Sequence, residues 1–456
     1  MDKKKRREIL KRTVGNGVLL FLGNDESPMN YRDNTYHFRQ DSTFLYYWGF
    51  GRNAGIAAVI DIDNNREIIF GDELSIDSIV WTGPLPTLRE QAQEVGANET
   101  LPMQALASFL KEAVSKGRKV HYLPPYRAEH TLMLQELLGI SPAAQDAGKS
   151  VAFIKAVVNQ RNYKSAEEVA EIEKAVNISY RMHLAAMKGA RPGMKEYEVK
   201  SLIYAAAQNS GAELSFPIIS TVHGETLHNH NYDNTLEEGQ MLLVDAGAEL
   251  PNGYCGDISS TVPVGKRFSE RQRTIYEIVY NAHYAAVDAL KPGIPFKEVY
   301  YIACRTLFNG LKELGLTRGD ADEAVLAGAH ALFFQCGLGH MMGLDVHDME
   351  NLGEVWVGYD GVPKSAQFGI KSLRLARPLE PGFVLTIEPG IYFIPTLIDM
   401  WSAEKRFETY INYKEVEKWR GFGGIRNEED YLITPEGHRI LGDPVSKKIG
   451  DVEALR

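Results

Sequence analysis

The 456-residue sequence has few cysteines and lacks any long apolar run. Its three cysteines, Cys255, Cys304 and Cys336, are too few and too scattered for a disulfide framework or a CxxC zinc site. No segment approaches the roughly 18 consecutive apolar residues that a membrane helix needs. The basic start, MDKKKRREILKR, is not followed by an apolar core, as a secretory signal would be. We therefore expect a cytoplasmic protein that does not enter a membrane.

Basic residues are also in deficit, with 50 Lys and Arg against 60 Asp and Glu. A broad nucleic-acid surface needs an excess of clustered positive charge, so no nucleic-acid partner is expected. The chain is too long for one ordinary hydrophobic core, and its apolar and charged fractions of 44% and 24% are those of a globular protein. The sequence thus predicts a globular protein of two domains.

The first third of the chain has the pattern of a separate α/β domain. Apolar, β-branched runs bounded by turn residues predict strands in residues 18–23, 54–63 and 66–73. Apolar residues at helical spacing predict helices in residues 88–96 and 103–117. Further on, Ser165 and Glu168 form a capping-box pattern that begins a long helix. We place the boundary just before that helix, which gives an N-terminal domain of residues 1–157 and a second domain of residues 158–456.

The second domain combines helices with pairs of strands rather than with single parallel strands. MLLVDAGAEL and YCGDISSTVPV are typical of two strands joined by a Pro-Asn-Gly turn. EPGFVLTIEPGIYFI and RNEEDYLIT are strand-like again. This order favours an α+β fold with antiparallel strand pairs over a doubly wound parallel sheet.

Five side chains in this domain are candidate metal ligands, each within a short motif that suits a ligand. They are Asp245, Asp257, His340, Glu388 and Glu428. Four carboxylates around one imidazole carry too much negative charge for one site unless cations neutralise it. Oxygen-rich ligation with a single histidine suits two ions such as Mn²⁺, Co²⁺ or Zn²⁺. Because two neighbouring ions can hold a hydroxide and stabilise an oxyanion, this set predicts a hydrolase.

The positions of the carboxylates along the predicted strands support this interpretation. A tight turn would bring Asp245 and Asp257 side by side on adjacent strands, where they would repel each other without a proton or a metal between them. Arg426 lies on the same strand face as Glu428 and would orient that carboxylate, with a surface ion pair as the alternative. For either aspartate alone, a structural residue of a turn or a strand edge is more common than a metal ligand, and only the pair together with the motifs downstream favours metal binding.

The candidate histidine lies in a glycine-rich segment, GLGHMMGLDVHD, in which His347 follows His340 by seven residues. Glycines let the backbone pass close to a ligand. A phosphate-binding loop is the alternative, but the segment lacks the Lys-Ser or Lys-Thr that follows such loops. From spacing alone, both histidines could equally be structural.

The motifs DAGAE…GYCGDIS, GLGHMMGLDVHD, TIEPGIY and GIRNEED resemble, in order, the ligand motifs of the metal-dependent pita-bread-fold peptidases, family M24. That family includes methionine aminopeptidases, Xaa-Pro aminopeptidases and Xaa-Pro dipeptidases (prolidases). FRQDSTFLYYWGF, residues 38–50, is similar to the segment that opens the N-terminal domain of the two proline-specific branches. Methionine aminopeptidases generally lack that domain. The resemblance implies a pita-bread (creatinase/aminopeptidase-like) catalytic domain preceded by a smaller α/β domain.

The resemblance also implies a role for each candidate ligand. Two divalent ions would bind per subunit, with Mn²⁺ expected and Co²⁺, Zn²⁺ or Fe²⁺ tolerated by the same ligands. Asp257 and Glu428 would bridge the ions, Asp245 would complete one of them, and His340 and Glu388 would complete the other. A water molecule that bridges the ions would lose a proton and act as the nucleophile, and Glu388 would handle that proton.

Further residues match family positions that act on the substrate. His228, in ETLHNHNYDN, matches the histidine that steadies the substrate carbonyl and its oxyanion, and His347 matches a second histidine near the amide. Arg426 would complete the catalytic set by orienting a ligand carboxylate. Arg374 matches the prolidase arginine that binds the free carboxylate of a dipeptide, a task to which its planar fork is suited. The alternative for Arg374 is a solvated charge at a strand edge.

The resemblance favours hydrolysis of Xaa-Pro dipeptides, because the long stretch between EPGIYFI and Glu428 is also typical of prolidases. An aminopeptidase acting on longer Xaa-Pro peptides is the alternative, and a silent binding homologue is weaker because all five ligands are kept. Members with this two-domain plan commonly form homodimers in which one N-terminal domain closes over the other subunit's site. Trp48 and Trp81 are candidates for such a lid, although buried core tryptophans are the more common case.

Some positions depart from the family pattern. Cys336 stands four residues before His340, where many members carry a histidine, so turnover or substrate preference would differ. One extra residue separates Asp245 from Asp257, which a longer hairpin turn would absorb. Asn427 stands where an apolar residue is common. None of these changes affects a candidate ligand, and the sequence leaves open the metal and the residue preferred before proline.

Overall fold

The structure is a computed structural model that describes residues 2–97 and 99–456. The chain forms two compact units, and the division falls between Arg161 and Asn162. The first unit also includes Met349–Trp356, and the second contains the remainder of the chain. The boundary predicted between residues 157 and 158 falls within a helix, Val151–Arg161, and stays a prediction.

The first unit is built around one mixed sheet with the strand order β6-β5-β4-β1-β7. The strands of this unit are β1 (Val18–Leu22), β2 (Pro28–Tyr31), β3 (Asn34–Thr35), β4 (Ala57–Asp61), β5 (Arg66–Phe70), β6 (Glu99–Leu101) and β7 (Val120–His121). Its helices are α1 (Lys3–Val14), α2 (Ser42–Tyr47), α3 (Ile76–Thr82), α4 (Leu88–Glu94), α5 (Ala105–Ser115), α6 (Ala128–Leu138), α7 (Pro142–Gly148) and α8 (Val151–Arg161). The central strands β1 and β4 are buried on both faces, because sequences such as VLLFL are apolar throughout.

The strands and helices predicted for this unit are confirmed as β1, β4, β5, α4 and α5. Trp48 is fully buried, as expected of a core tryptophan. Trp81 is 86% exposed, so the expectation of burial is wrong for this residue. The reason is tertiary, because Trp81 belongs to α3, a helix that buries none of its residues.

The chain from Asn162 onward alternates helices with short strands. The helices are α9 (Ala166–Gly189), α10 (Glu196–Gln208), α11 (Glu270–Asp288), α12 (Phe296–Glu313), α13 (Ala321–Ala327), α14 (Glu354–Val357), α15 (Pro395–Ala403), α16 (Tyr413–Val416) and α17 (Ile449–Ala454). The strands are β8 (Glu213–Leu214), β9 (Ile219–Thr221), β10 (Met241–Ala246), β11 (Ala248–Glu249), β12 (Ile258–Pro263), β13 (Val384–Ile387), β14 (Gly390–Tyr392), β15 (Gly424–Arg426), β16 (Glu429–Thr434) and β17 (Gly437–Ile440).

The strands of the second unit pair in antiparallel fashion. One sheet has the order β12-β10-β9 and another the order β13-β16-β17, while β14 pairs with β15 and β11 with β8. A tight turn can join antiparallel neighbours, whereas parallel strands need a long crossover. The prediction of an α+β fold with antiparallel strand pairs is therefore confirmed.

The long helix α9 begins where the capping-box pattern predicts. The Ser165 side chain accepts a hydrogen bond from the Glu168 N–H, and the Glu168 carboxylate accepts one from the Ser165 N–H. One face of α9 packs against β10, β11 and β12 and supports the sheet that carries Asp245. Although α9 has 24 residues, neither it nor any other helix in the described part of the chain is long and apolar enough to cross a membrane.

Candidate metal centre

Asp245 and Asp257 lie next to each other at one end of the β10–β12 pair. In the antiparallel register Asp245 is opposite Ser259, so Asp257, two residues earlier, projects from the same face of its strand. One oxygen atom from each of Asp245, Asp257 and Glu428 lies within 4.8 Å of the other two. The strand register thus brings the two aspartates together and leaves room for a third carboxylate beside them.

Glu388 and Glu428 face each other where a second antiparallel ladder is interrupted. The flanking pairs of this ladder are Ile387↔Glu429 and Gly390↔Arg426. Both pairs belong to one continuous register, in which Glu388 falls opposite Glu428. Side chains directly opposite each other in a ladder are close neighbours. The ladder therefore brings two carboxylates that are distant in sequence to the same edge.

The segment that carries His340 is held against β13. The His340 N–H donates to the Thr386 hydroxyl at 3.2 Å, and the Thr386 N–H donates to the His340 carbonyl at 3.1 Å. Nδ1 of the imidazole lies 3.0 Å from the Met341 carbonyl oxygen, an acceptor, so Nδ1 carries the proton. Nε2, left with its lone pair, lies 3.3 Å from Asp257 Oδ2 and 3.7 Å from Glu388 Oε1. This tautomer directs a ligand atom at the carboxylates.

Arg426 binds the carboxylate cluster from the protein interior. Its guanidinium donates to Asp245 Oδ2 at 2.6 Å, to the Ser259 hydroxyl at 2.9 Å and to the Tyr392 hydroxyl at 2.9 Å. Ser259 in turn donates to Glu428 Oε2 at 2.8 Å. Arg426 is only 3% exposed, which rules out the surface ion pair considered from the sequence. It contacts Asp245 directly and reaches Glu428 through the serine, because strand pairing brings Ser259 between them.

Burial and mutual repulsion raise the pKa values of three carboxyl groups in this cluster. Burial, reinforced by the charge of Asp245, raises the pKa of Asp257 to about 8. Burial also raises the pKa of Glu388 to about 7, with Arg426 opposing the rise and Asp257 adding to it. The pKa of Glu428 lies well above its ordinary value for the same reasons, burial first. The basic side chains near the cluster therefore do not fully compensate the negative charge of its carboxylates.

The donor set fits two divalent cations. Asp245 Oδ1 and Asp257 Oδ1 are buried and accept no hydrogen bond from any described residue, an arrangement that is costly for a carboxylate unless a cation is bound. Two groups of closely spaced ligand atoms overlap at Glu428: one contains Asp245 and Asp257, and the other contains His340 and Glu388. Oxygen-rich ligation with one imidazole suits Mn²⁺, Co²⁺, Zn²⁺ or Fe²⁺. A bridging role for Glu428 is consistent with this overlap.

A cavity of about 200 Å³ opens onto the cluster. It is lined by all the residues that the sequence analysis assigned to the site: His228, Asp245, Asp257, His340, His347, Arg374, Glu388, Arg426 and Glu428. Its remaining lining is mainly apolar, from Phe216, Pro217, Ile219, Leu227 and Val346, with His230 and Cys336. The structure therefore brings the whole candidate set to one cavity, while the individual roles stay predictions.

Three basic side chains around this cavity are suited to contact a substrate. His228 is at its exposed side, and desolvation together with the Arg426 charge lowers the pKa of His228, so this imidazole is neutral at pH 7. The His347 ring stacks on His340, with ring centroids 3.9 Å apart and an interplanar angle of 15°. The Arg374 charge is close enough to oppose, together with Arg426, the rise that burial causes in the pKa of Asp257.

Cys336 lies in the same cavity and stays protonated. Burial, with the neighbouring Glu388 charge, raises the pKa of this thiol to about 12. Its Sγ lies 4.0 Å from the Tyr392 hydroxyl. At neutral pH the side chain is therefore a small neutral group rather than a thiolate nucleophile or a proton donor of histidine strength.

Three polar side chains of the site were not identified from the sequence. Ser259 links Arg426 to Glu428, and strand alternation from Asp257 could have indicated it. The Tyr392 hydroxyl accepts from Arg426, and no pattern in the sequence pointed to that contact. Lys447 is 3% exposed and donates to the Ser260 hydroxyl at 3.0 Å from behind the cluster. Its approach to β12 depends on tertiary structure alone.

Comparison with known proteins identifies the class of molecule that this fold and site define. Residues 170–435 match the family model for metallopeptidase family M24, and residues 3–122 match that for the aminopeptidase P N-terminal domain. The chain belongs to metallopeptidase family M24. The family resemblance noted from the sequence motifs is therefore confirmed, and so is the expected use of divalent metal ions by this class.

Relatives of both proline-specific types align with nearly the whole chain. The human Xaa-Pro dipeptidase is 30% identical over 448 residues, which cover 96% of this chain and 88% of that protein. The Escherichia coli (strain K12) Xaa-Pro aminopeptidase is 30% identical over 453 residues, covering 97% of this chain and 93% of that protein. Among solved structures, Pseudomonas aeruginosa aminopeptidase PepP is 28% identical with a TM-score of 0.80, covering 100% of this chain and 98% of that chain. The predicted two-domain fold is confirmed by this likeness.

Proposed function

We propose that the protein hydrolyses the Xaa-Pro bond of dipeptides with the help of two divalent cations, Mn²⁺ being the first choice. The observation that carries this proposal is that Arg374 lines the same cavity as the five candidate ligands. The cavity therefore contains both a cation-binding cluster of carboxylates and the guanidinium group of Arg374. A dipeptide with a free C-terminal carboxylate complements both, because a guanidinium binds a carboxylate through two parallel hydrogen bonds.

The cations would be bound by Asp245, Asp257, His340, Glu388 and Glu428. When bound, they would lower the pKa of an attacking water molecule and polarise the scissile carbonyl. Glu388 would accept the proton of that water, because its carboxylate belongs to the group of ligands around the cations. The neutral imidazole of His228 would donate a hydrogen bond to the developing oxyanion, and His347 would contact the amide.

The remaining lining suits the proline side of the substrate. Phe216, Pro217, Ile219, Leu227 and Val346 contribute an apolar surface to the cavity. A pyrrolidine ring buries apolar area against such a surface, which contributes about 25 cal/mol for each Å² removed from water. Arg374 would then select for peptides that end at this proline. Arg426 has a different role, since its hydrogen bonds hold Asp245 and Ser259.

The second candidate function is release of the first residue from longer Xaa-Pro peptides. It is favoured by the full-length likeness to solved aminopeptidase P structures at a TM-score of 0.80. In that case the chain of the substrate would continue past proline, and Arg374 would not be needed to neutralise a terminal carboxylate. The two candidates therefore differ in one measurable property, the dependence on Arg374.

The test compares hydrolysis of glycyl-proline with that of the same peptide extended by one residue, using Mn²⁺-loaded protein. For a dipeptidase, kcat/KM favours the dipeptide, and Arg374→Ala lowers it by about 100-fold, mainly through KM. Lys371→Ala, an exposed cation three residues earlier, is the matched control and should leave both rates unchanged. Preference for the longer peptide with no effect of Arg374→Ala would establish the aminopeptidase instead.

We further propose that the protein is a cytoplasmic homodimer that associates through α3. The proposal is supported by the exposure of Ile76, Val80 and Trp81, which are 74%, 73% and 86% exposed on one short helix. Neighbouring exposed apolar side chains that form one patch are commonly covered in an assembly. Sedimentation equilibrium should detect a dimer that Val80→Lys/Trp81→Lys dissociates. Leu132→Lys, at a residue of 63% exposure on α6, should not affect it, and a monomeric wild-type protein would refute the proposal.

A further inference from the structure

A buried ion pair in the catalytic unit has no part in the roles described so far. Lys164 Nζ lies 2.9 Å from Asp348 Oδ2, and the two side chains are only 2% and 1% exposed. Lys164 immediately precedes the Ser165 cap of α9, and Asp348 immediately follows His347. The pair therefore connects the start of α9 to the segment that carries the two stacked histidines, His340 and His347.

The first half of that segment is fixed by strand pairing. The Met342 N–H donates to the Val384 carbonyl at 3.0 Å, and the Glu388 N–H donates to the Leu338 carbonyl at 2.8 Å. Together with the contacts between His340 and Thr386, these bonds hold residues 338–342 along β13. The position of His340 thus depends on the backbone ladder and not on Lys164.

The second half, which carries His347, leaves this ladder, and Asp348 is one of the residues that hold it. The Asp348 N–H donates to the Met341 carbonyl at 2.9 Å, and the Asp348 carboxylate accepts from the Asp345 N–H at 3.4 Å and from Lys164. Lys164 is itself anchored, because its N–H donates to the Gly382 carbonyl at 2.9 Å, just before β13. The Asp348 carboxylate therefore connects the end of this loop, through Lys164, to the residues just before β13.

The packing around the pair leaves little freedom. A Cβ on Gly343 would lie 2.7 Å from Asp348 Oδ2 and 3.0 Å from Lys164 Cε, so the ion pair lies directly on the backbone of Gly343. The Gly343 carbonyl also accepts from the Cys255 N–H at 2.9 Å, two residues before Asp257. A shift of the ion pair would thus move the loop relative to both His340 and Asp257.

Stability alone does not account for such a pair. Removing two charges from water costs about as much as their attraction returns, so an apolar pair of the same volume is often equally stable or more stable. What the ion pair adds is direction, since a charged hydrogen bond fixes the distance and angle between two groups. The group whose position depends on it most closely is His347, which immediately precedes Asp348 in the chain.

We propose that Lys164 and Asp348 are positioning residues that hold His347 over the cavity, with its ring stacked on that of His340. This inference rests on the proposed function, in which His347 contacts the substrate. The stacked rings lie only 3.9 Å apart, so a small rotation of the loop would separate them and withdraw one hydrogen-bonding group from the substrate. A displacement of about 1 Å at a catalytic group can cost about 100-fold in rate.

The test uses a double-mutant cycle in the manganese-loaded, full-length protein. Lys164→Met/Asp348→Leu removes both charges together, so neither is left buried alone. We expect this variant to melt at or above the wild-type temperature and to bind the same number of metal equivalents, because His340 is held by β13. Its kcat/KM for an Xaa-Pro substrate should fall by about 10- to 100-fold. The matched control Arg273→Met/Glu453→Gln removes an ion pair elsewhere in the same unit and should leave kcat/KM unchanged.

The decisive comparison is made in a His347→Ala background. If the pair acts through His347, its removal there changes kcat/KM by less than about twofold. The proposal is overturned if the folded, metal-loaded variant retains wild-type kcat/KM, or if the loss persists undiminished without His347. Should the apolar variant fail to fold, Lys164→Met/Asp348→Asn is put through the same cycle with the same criteria. It removes both charges and the hydrogen-bond donor of the lysine, while methionine keeps nearly the length of the lysine chain and asparagine the shape of the aspartate. A wild-type protein inactive on every Xaa-Pro peptide would instead reject the proposed function, which separates the two failures.

Discussion

We expect the metal-free catalytic unit to be less stable at pH 8 than at pH 7. In the metal-free folded chain, burial and neighbouring carboxylates hold the pKa of Asp257 at about 8 and that of Glu388 at about 7. In the unfolded chain both groups return to ordinary values near about 4 and are ionised at both pH values. The folded state therefore binds more protons than the unfolded state, and its stability falls as the pH rises through the raised pKa values.

The size of the effect follows from the number of protons involved. Each proton retained only by the folded state changes the free energy of unfolding by about 1.4 kcal/mol per pH unit. Between pH 7 and pH 8 the two groups together retain about one proton, so we expect a loss of about 1.4 kcal/mol, and the raised pKa of Glu428 acts in the same direction. The buried His183 and His330 oppose this loss only slightly. Burial lowers their folded pKa values to about 3 and about 4, whereas an unfolded histidine, with a pKa of about 6.5, still binds a fraction of a proton at pH 7, so each histidine adds only about 0.1 kcal/mol of stability between pH 7 and pH 8.

The assay is urea unfolding of EDTA-treated protein at pH 7 and pH 8, followed by circular dichroism. Asp257→Asn/Glu388→Gln is the matched control, because it removes these two titrating groups and should strongly reduce the pH dependence. Manganese-loaded wild-type protein should also lose the dependence, since bound cations keep the carboxylates ionised. EDTA-treated protein that is equally stable at the two pH values, or more stable at pH 8, would refute the account of the site's electrostatics.

Three further predictions concern single side chains. Arg426→Met leaves the Asp245 carboxylate without its buried partner, so urea unfolding should show a loss of about 3–5 kcal/mol, and a loss below about 1 kcal/mol would contradict the role of this pair. Because burial holds the pKa of the Cys336 thiol at about 12, its alkylation by iodoacetamide at pH 8, followed by mass spectrometry, should be at least about tenfold slower in native than in urea-unfolded protein. Ser165→Ala removes the cap of α9 and should cost about 1 kcal/mol in the same unfolding assay, whereas Ser165→Thr should cost much less.

Much of the fold was predictable because it depends on local patterns. Runs such as VLLFL specify a buried strand by composition, and Ser165 with Glu168 specifies a helix start through hydrogen bonds three residues apart. Strand alternation and a tight turn were sufficient to expect Asp245 beside Asp257, because their register is set within a single pair of neighbouring strands. These inferences needed only neighbours in the chain.

Other features depend on contacts between distant segments, and the sequence carried no signal for them. Arg426 reaches Glu428 through Ser259, a residue 167 positions away in the chain from the arginine. Trp81 has a large apolar side chain of the kind found in protein cores. It is nevertheless exposed, because α3 buries none of its residues. Burial of a side chain is decided by which surfaces meet, and periodicity within one helix does not contain that information.

Local sequence patterns are enough to specify the α+β character of the second unit, the cap of α9, the family, and the residue types available for binding cations. How those residues meet depends on long-range packing: one continuous register sets Glu388 opposite Glu428, and Lys164 pairs with Asp348 across 184 positions. The physical reason is that ligand identity is a property of single side chains, whereas distance and burial arise only when remote segments pack. Geometry, charge compensation and pKa values therefore belong to the folded chain.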